Sequence, residues 1–124
     1  MIVFIDSYFN HKDERGSILG IINKNLWEEI NFTTSEKGAK RGGHYHKYTE
    51  ELFFILEGEI EVITQIINSD NKLEEKTINI VKKDDIFLVE PFVVHYFNIL
   101  EDSKWINVLT KKMDKDNPDM FYIK

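Results

Sequence analysis

Gly38-Ala39-Lys40-Arg41-Gly42-Gly43-His44-Tyr45-His46-Lys47-Tyr48-Thr49-Glu50-Glu51, closed by Gly58, is the stretch that decides the fold. His44 and His46 stand at i and i+2, and alternate side chains of an extended segment share a face, so both imidazoles point the same way. Tyr45 then points away from them, into an outer layer or an interface. Glu51 follows His46 by five residues, beyond a short turn, where the next strand returns its carboxylate toward the rings and leaves Glu50 on the opposite face. His95 closes the set half a chain later. Nitrogen and oxygen donors in this arrangement suit a divalent metal such as Zn, Ni, Fe or Mn, which makes His44, His46, Glu51 and His95 the candidate ligands. The same pocket also serves proton transfer without a metal, because imidazole has an unperturbed pKa of about 6.5. His44 and His46 are then the catalytic candidates. The two assignments exclude each other, since a ring whose free nitrogen binds a metal is no longer a base. His11 has no partner in the pattern and reads as a packed or surface residue as readily as a functional one.

Around this stretch, short runs of Ile, Val, Phe and Thr recur between polar breaks, and no window carries a helical apolar stripe. Strands are expected at residues 2–5, 17–22, 29–34, 43–46, 51–57, 59–68, 74–81, 86–89, 95–100 and 104–109. Gly58 allows a tight reversal, and Ser69 to Lys72 form a hairpin tip. Helical character is weak and confined to Asn25–Glu29, and the Asp-, Asn- and Pro-rich tail from Met113 to Met120 promises no strong element. Evenly spaced short strands in a chain of 124 residues predict an all-β, antiparallel jelly-roll barrel forming a single domain over residues 1–124. Leu52 to Leu56 is apolar on both faces. One face belongs to the barrel interior, and the other implies either a partner subunit, hence a homodimer, or a terminal segment laid over it.

Composition narrows the function. Hydrophobic residues are 42% and aromatic residues 13% of the chain, enough for a packed core. A formal net charge of −6 and a pI near 5.2 argue against nucleic acid, which needs clustered positive potential. No apolar run approaches the roughly 18 residues of a spanning helix, and the first residues lack the marks of a signal peptide, so a cytoplasmic protein without a membrane partner is expected. Cysteine is absent, which removes disulfides and thiolate ligands. The two arginines, Arg15 and Arg41, each adjoin a glycine among 16 basic residues that are otherwise lysine. The planar fork of arginine suits a phosphate, so both are candidates for binding a phosphorylated or nucleotide-linked ligand.

From Gly38 to Gly58 the spacing G-x5-H-x-H-x4-E-x6-G resembles the first motif of the cupin superfamily at every specified position. The second cupin motif is matched in part, with Pro91, then His95 and Asn98 each one residue early. The resemblance implies His44, His46, Glu51 and His95 as ligands. Asp13-Glu14-Arg15-Gly16-Ser17, Arg41-Gly42-Gly43-His44-Tyr45-His46 and the Pro91 to His95 spacing are similar to segments of dTDP-4-keto-6-deoxyglucose 3,4-ketoisomerases. Residues 33–54 and the tail Asn117 to Tyr122 resemble more closely the C-terminal cupin domain of capsular polysaccharide epimerase/reductases. What this implies is an isomerase or epimerase that moves a proton by keto-enol chemistry on a nucleotide-linked 4-keto-6-deoxy sugar, with Arg15 and Arg41 on the diphosphate. The chain lacks the Tyr-rich strand of the ketoisomerases, having Ile30-Asn31-Phe32-Thr33 there, and it carries Glu51, which they usually lack. With a metal present the base lies elsewhere, and Tyr48 and Tyr96 are the phenols to consider. Two other readings stand beside this one: a non-catalytic metal-containing module that binds a sugar or metabolite, and an Fe-dependent dioxygenase of a small molecule.

Overall fold

The computed structural model describes residues 1–123, and no helix occurs among them. The strands are β1 (Ile2–Phe4), β2 (Phe9–Asp13), β3 (Gly16–Gly20), β4 (Glu29–Ser35), β5 (Lys40–Tyr45), β6 (Glu51–Glu57), β7 (Glu59–Ile66), β8 (Thr77–Lys82), β9 (Ile86–Val89), β10 (Val93–Ile99), β11 (Ser103–Leu109) and β12 (Phe121–Tyr122). Two antiparallel five-stranded sheets face each other, ordered β1-β9-β6-β11-β4 and β12-β5-β10-β7-β8, and β2 and β3 form a separate hairpin. This is the expected jelly roll. Two strands were not foreseen, β2 and β12. The second has only two residues and draws its conformation from pairing with β5, Phe121 opposite Tyr45 and Tyr122 opposite His44.

Alternation along each strand builds the core. Phe53 and Ile55 of β6, Phe87 and Val89 of β9 and Trp105 of β11 meet Ile60 and Val62 of β7 and Val93, Phe97 and Ile99 of β10. Each large side chain so buried contributes roughly 1.5–3 kcal/mol. Phe53 stacks on Phe87 with ring centroids 5.0 Å apart and tilts against Phe97 at 5.1 Å. The reversal after β6 depends on Gly58, whose φ of +99° suits only glycine, and a Cβ there would come within 2.6 Å of the Asp102 carbonyl oxygen. At the far end of β7, Asn68 Oδ1 accepts the N–H groups of Asp70 at 3.0 Å and Lys72 at 3.1 Å and so shapes the hairpin tip.

The outer face of β6 settles what covers its second apolar side. Leu52, Phe54, Ile86 and Leu88 form a second cluster packed under Ile5, Leu19, Ile21, Ile22 and Trp27. The cover is therefore the chain's own N-terminal third. The segment around Asn25 is an irregular loop with Asn25 at φ +65°, and Trp27 Nε1–H donates to the Lys24 carbonyl at 2.9 Å. Strand β4, at the edge of the same sheet, lacks that cover on its outer face, where Ile30 is 68% and Phe32 61% exposed.

Candidate functional site

The interior faces of β5, β6 and β10 converge at one end of the barrel. Ring centroids of His44 lie 5.2 Å from His46 and 4.6 Å from His95, and one ligand atom from each of His44, His46, Glu51 and His95 can be chosen with all within 4.8 Å of one another. The glycines make this meeting possible. Residues of β5 pair with β10 as His44 opposite His95 and then Gly42 opposite Tyr96, with a register shift between the two pairs that leaves Gly43 unpaired. Gly42 has φ +91°, and a Cβ at that position would collide with the His95 carbonyl oxygen. Only a bare backbone lets β5 approach β10 so closely, and that approach sets His44 beside His95.

Each of the two fully buried rings is held by a main-chain carbonyl. His46 Nδ1–H donates to the carbonyl of Asp119, and His95 Nδ1–H donates to that of Val93 at 3.1 Å. Both Nε2 atoms are thereby directed at Glu51, His46 at 2.8 Å from Oε1 and His95 at 3.8 Å from Oε2. Anchoring the distal ring nitrogen in this way is how proteins orient imidazoles for metal or proton work.

Environment separates the groups electrically. Burial, then the nearby charges of His95 and His46, lower the pKa of His44 to about 4, and burial also lowers that of His95. Burial opposes the charge on His46 too, but the hydrogen bond and charge of Glu51, aided by Asp119, outweigh it and raise its pKa. For Glu51, burial is again outweighed, by the His46 hydrogen bond and the imidazole charges, and its pKa falls. Metal-free, the site thus disfavours a charge on His44 and favours one on each of the hydrogen-bonded partners His46 and Glu51.

The donor set also passes a simple fit test for a divalent ion. Ligands about 2.1 Å from a common centre lie roughly 3.4 Å apart in a tetrahedral set and about 4.2 Å apart when directly opposite, so the observed 4.8 Å spread would contract by about 1 Å on binding an ion. The ion would displace the proton that His46 shares with Glu51.

A cavity of about 300 Å³ opens from this cluster. Its walls include Phe53, Phe97, Trp105, Met113 and Met120. Its polar side is formed by Glu29, Asn31 and Thr33 of β4 with Asn107 of β11, and Asn31 stands directly opposite Asn107 in the ladder. Glu29 Oε2 accepts Asn31 Nδ2–H at 2.9 Å and Oε1 accepts the Met113 N–H at 2.9 Å, and these donors hold its pKa down. Arg41 also lines the cavity. Its Nε–H donates to Ser35 Oγ, another guanidinium N–H donates to the Thr34 carbonyl at 3.2 Å, and it lies 6.0 Å over the Trp105 ring.

Three sequence candidates fall elsewhere. Arg15 sits at the turn of the β2-β3 hairpin with its side chain 83% exposed, bound to Asp13 at 2.8 Å, and it does not line the cavity. Asp13 also engages His11 at 3.0 Å. Tyr48 is 68% exposed on the turn beyond β5, because the strand ends before it. Tyr96 is adjacent to His95, so alternation turns it outward, against the cluster of Tyr45, Ile67 and Val94. Residues the sequence reading missed are Glu29, Asn31 and Asn107, together with Tyr122, whose ring lies 6.1 Å from that of His44. The polar residues at i, i+2 and i+4 of β4 were the available signal. For Tyr122 only the pairing with β5 reveals the position.

An antiparallel jelly roll that gathers three imidazoles and a carboxylate from the G-x5-H-x-H-x4-E-x6-G segment and a distant histidine has the cupin fold. Within that class the chain belongs to the polysaccharide biosynthesis C-terminal domain family, whose model matches residues 11–121. It is 24% identical over 127 residues to the spore coat polysaccharide biosynthesis protein SpsL of Bacillus subtilis (strain 168), covering 94% of this chain and 84% of that one. Among solved structures, the capsular polysaccharide assembling protein CapF of Staphylococcus aureus matches with a TM-score of 0.71 and 20% identity over 94% of this chain. This chain spans 32% of CapF. The sugar 3,4-ketoisomerase QdtA of Thermoanaerobacterium thermosaccharolyticum, solved in complex with TDP, matches with a TM-score of 0.76 and 16% identity, covering 98% of this chain and 88% of that one. At these identities the two structures establish the shared fold. No helix among the described residues is long and apolar enough to cross a membrane.

Proposed function

We propose that this protein is a cytoplasmic isomerase or epimerase that acts by keto-enol proton transfer on a nucleotide-linked 4-keto-6-deoxy sugar in surface-polysaccharide biosynthesis. The observation that carries this reading is the convergence of His44, His46 and His95 on Glu51 at one end of a cavity that also carries Arg41. Family membership and the names of the matched proteins support the substrate class. A cavity of about 300 Å³ is at the small end of ligand pockets and suits a sugar ring, with the nucleotide extending past Arg41.

Removing a proton beside a carbonyl builds negative charge on its oxygen, and preorganised positive groups stabilise that charge. In the metal-free arrangement, His44 lines the cavity, is held neutral by burial and serves as base, while His46, with its two ring nitrogens engaged by Asp119 and Glu51 and off the cavity wall, supports the site by fixing the Glu51 carboxylate. A divalent ion on His44, His46, Glu51 and His95 would supply Lewis-acid stabilisation of the same oxygen. Those rings are then engaged, and Glu29, ionised and facing the cavity, is the carboxylate left to take the proton. Asn31 and Asn107 fit as partners for sugar hydroxyls in both arrangements. Arg41 takes the diphosphate alone, without Arg15 of the same chain. The uncovered Ile30 and Phe32 on the outside of β4 support a homodimer through that face.

The test joins metal analysis of the purified protein to a thermal-shift panel of dTDP-, UDP- and GDP-linked sugars, since a ligand bound only by the folded state raises its apparent stability. A shift with one nucleotide series, and sugar hydrogen exchange in D2O that His44→Ala abolishes, is the expected result. Iron with oxygen uptake and no nucleotide shift would instead mark a dioxygenase. Binding without exchange would mark a sugar-binding module.

A further inference from the structure

Asp119 lies in the tail, outside the cavity, and yet it holds the turn that carries His46. Its Oδ1 accepts the Lys47 N–H at 2.8 Å, and its Oδ2 accepts the Tyr48 N–H and the Thr49 hydroxyl, each at 2.8 Å. Its main-chain carbonyl accepts the Nδ1–H of His46. A single residue therefore fixes both a ring of the quartet and the three residues that follow it. Thr49 is 1% exposed and His46 likewise 1%, so neither group has water as an alternative partner, and a buried donor left unpaired is costly.

The rest of the tail is seated around this contact. Met113 N–H reaches Glu29 at 2.9 Å, Met113 and Met120 line the cavity, and Phe121 and Tyr122 add a short edge to β5. Lys47 Nζ covers the Phe121 ring at 4.1 Å. The two-residue pairing of β12 is too short to hold the tail by itself, which leaves the Asp119 carboxylate as the latch.

We infer that Asp119 is a positioning residue for the site: its carboxylate latches the tail to the turn after β5, and its carbonyl, placed by that latch, keeps a proton on His46 Nδ1 and aims Nε2 at Glu51. The consequence for chemistry rests on the reading of the quartet given above. The orientation itself is measurable without turnover.

His95 provides the internal control, because its Nδ1–H is held by Val93 of its own strand and owes nothing to the tail. In spectra of metal-free protein carrying 15N-histidine, the Nδ1–H signals of His46 and His95 should both be protected from solvent exchange. Asp119→Ala should abolish the His46 signal and spare that of His95. Asp119→Asn, which keeps one acceptor oxygen but turns an amide toward the remaining donors, should give an intermediate loss in a folded protein if the alanine variant does not fold. Cobalt titration should show binding weakened about 10- to 100-fold in Asp119→Ala, the range for a lost supporting contact. A protected His46 Nδ1–H in both variants overturns the inference, and so does simultaneous loss of both histidine signals, which would mark general loosening. If the native protein takes up no cobalt, the metal arrangement fails while the His46 signal still decides the role of Asp119.

Discussion

Gly42 and Gly38 make a matched pair at the residue scale. Both have φ near +90°, +91° and +90° respectively, but a Cβ on Gly42 strikes the His95 carbonyl whereas one on Gly38 meets nothing within 4 Å. Alanine at either position should cost ~1–2 kcal/mol for the left-handed backbone. Gly42→Ala should cost at least as much again through the collision, and it should displace His44 and weaken metal or ligand binding, whereas Gly38→Ala leaves binding intact. Urea unfolding of the two variants, with cobalt titration, checks this; equal losses would remove the close approach of β5 and β10 as the reason for glycine. The quartet was legible in the sequence because its spacing encodes strand alternation and one turn. Arg15 was not, because nothing local says where the β2-β3 hairpin docks. Tyr96 could have been excluded by the same alternation that orders His95 and Phe97. Tyr48 could not, since its position depends on where β5 ends.

Strand β4 shows what pattern reading misses at the element scale. Ile30 and Phe32 alternate with Asn31 and Thr33, and hydrophobicity alone would turn the apolar pair inward. The register with β11 does the reverse: Thr33 pairs with Trp105 and Asn31 with Asn107, and Trp105 is a core residue at 3% exposure. The polar face therefore lines the cavity, and the apolar face is left outside. Two expectations follow. Asn31→Ala should leave the unfolding midpoint nearly unchanged and lower affinity for the sugar part of the ligand, seen as a smaller thermal shift with the nucleotide sugar and an unchanged shift with the nucleotide alone. Phe32→Glu should yield a folded monomer by sedimentation at concentrations where the native chain is a dimer; a native chain that sediments as a monomer at all concentrations refutes the dimer. The core strands were readable because their apolar residues do face the core; β2 was not, because its residues are mostly polar and exposed, and β12 was not because two residues carry no period.

For the whole molecule, the quartet links stability to pH. The unfolded chain gains protons on His44 and His95 near pH 6.5, but the folded chain resists, with His44 lowered by burial to about 4. Metal-free protein should therefore lose stability as pH falls from about 6.5 toward 4. Glu51 adds to the acid limb at lower pH, since its depressed pKa stabilises the fold above the unfolded value and ceases to do so as pH drops through the folded one. His46 acts oppositely: its raised pKa stabilises the fold below 6.5, and that contribution fades as pH rises through the folded value. Urea midpoints at several pH values, compared with His44→Gln, should show a shallower acid limb in the variant; parallel curves would contradict the assignment. The two walls of the cavity also have a stereochemical consequence. All three imidazoles come from the sheet containing β5 and β10, or the turn leaving β5, while the carboxamides of Asn31 and Asn107 come from β4 and β11 of the other. In the metal-free arrangement, a flat enediol lying between the walls meets His44 from one side, so its hydrogen should leave and return suprafacially and deuterium from solvent should enter the sugar with one configuration, whereas transfer by Glu29 would use the opposite face.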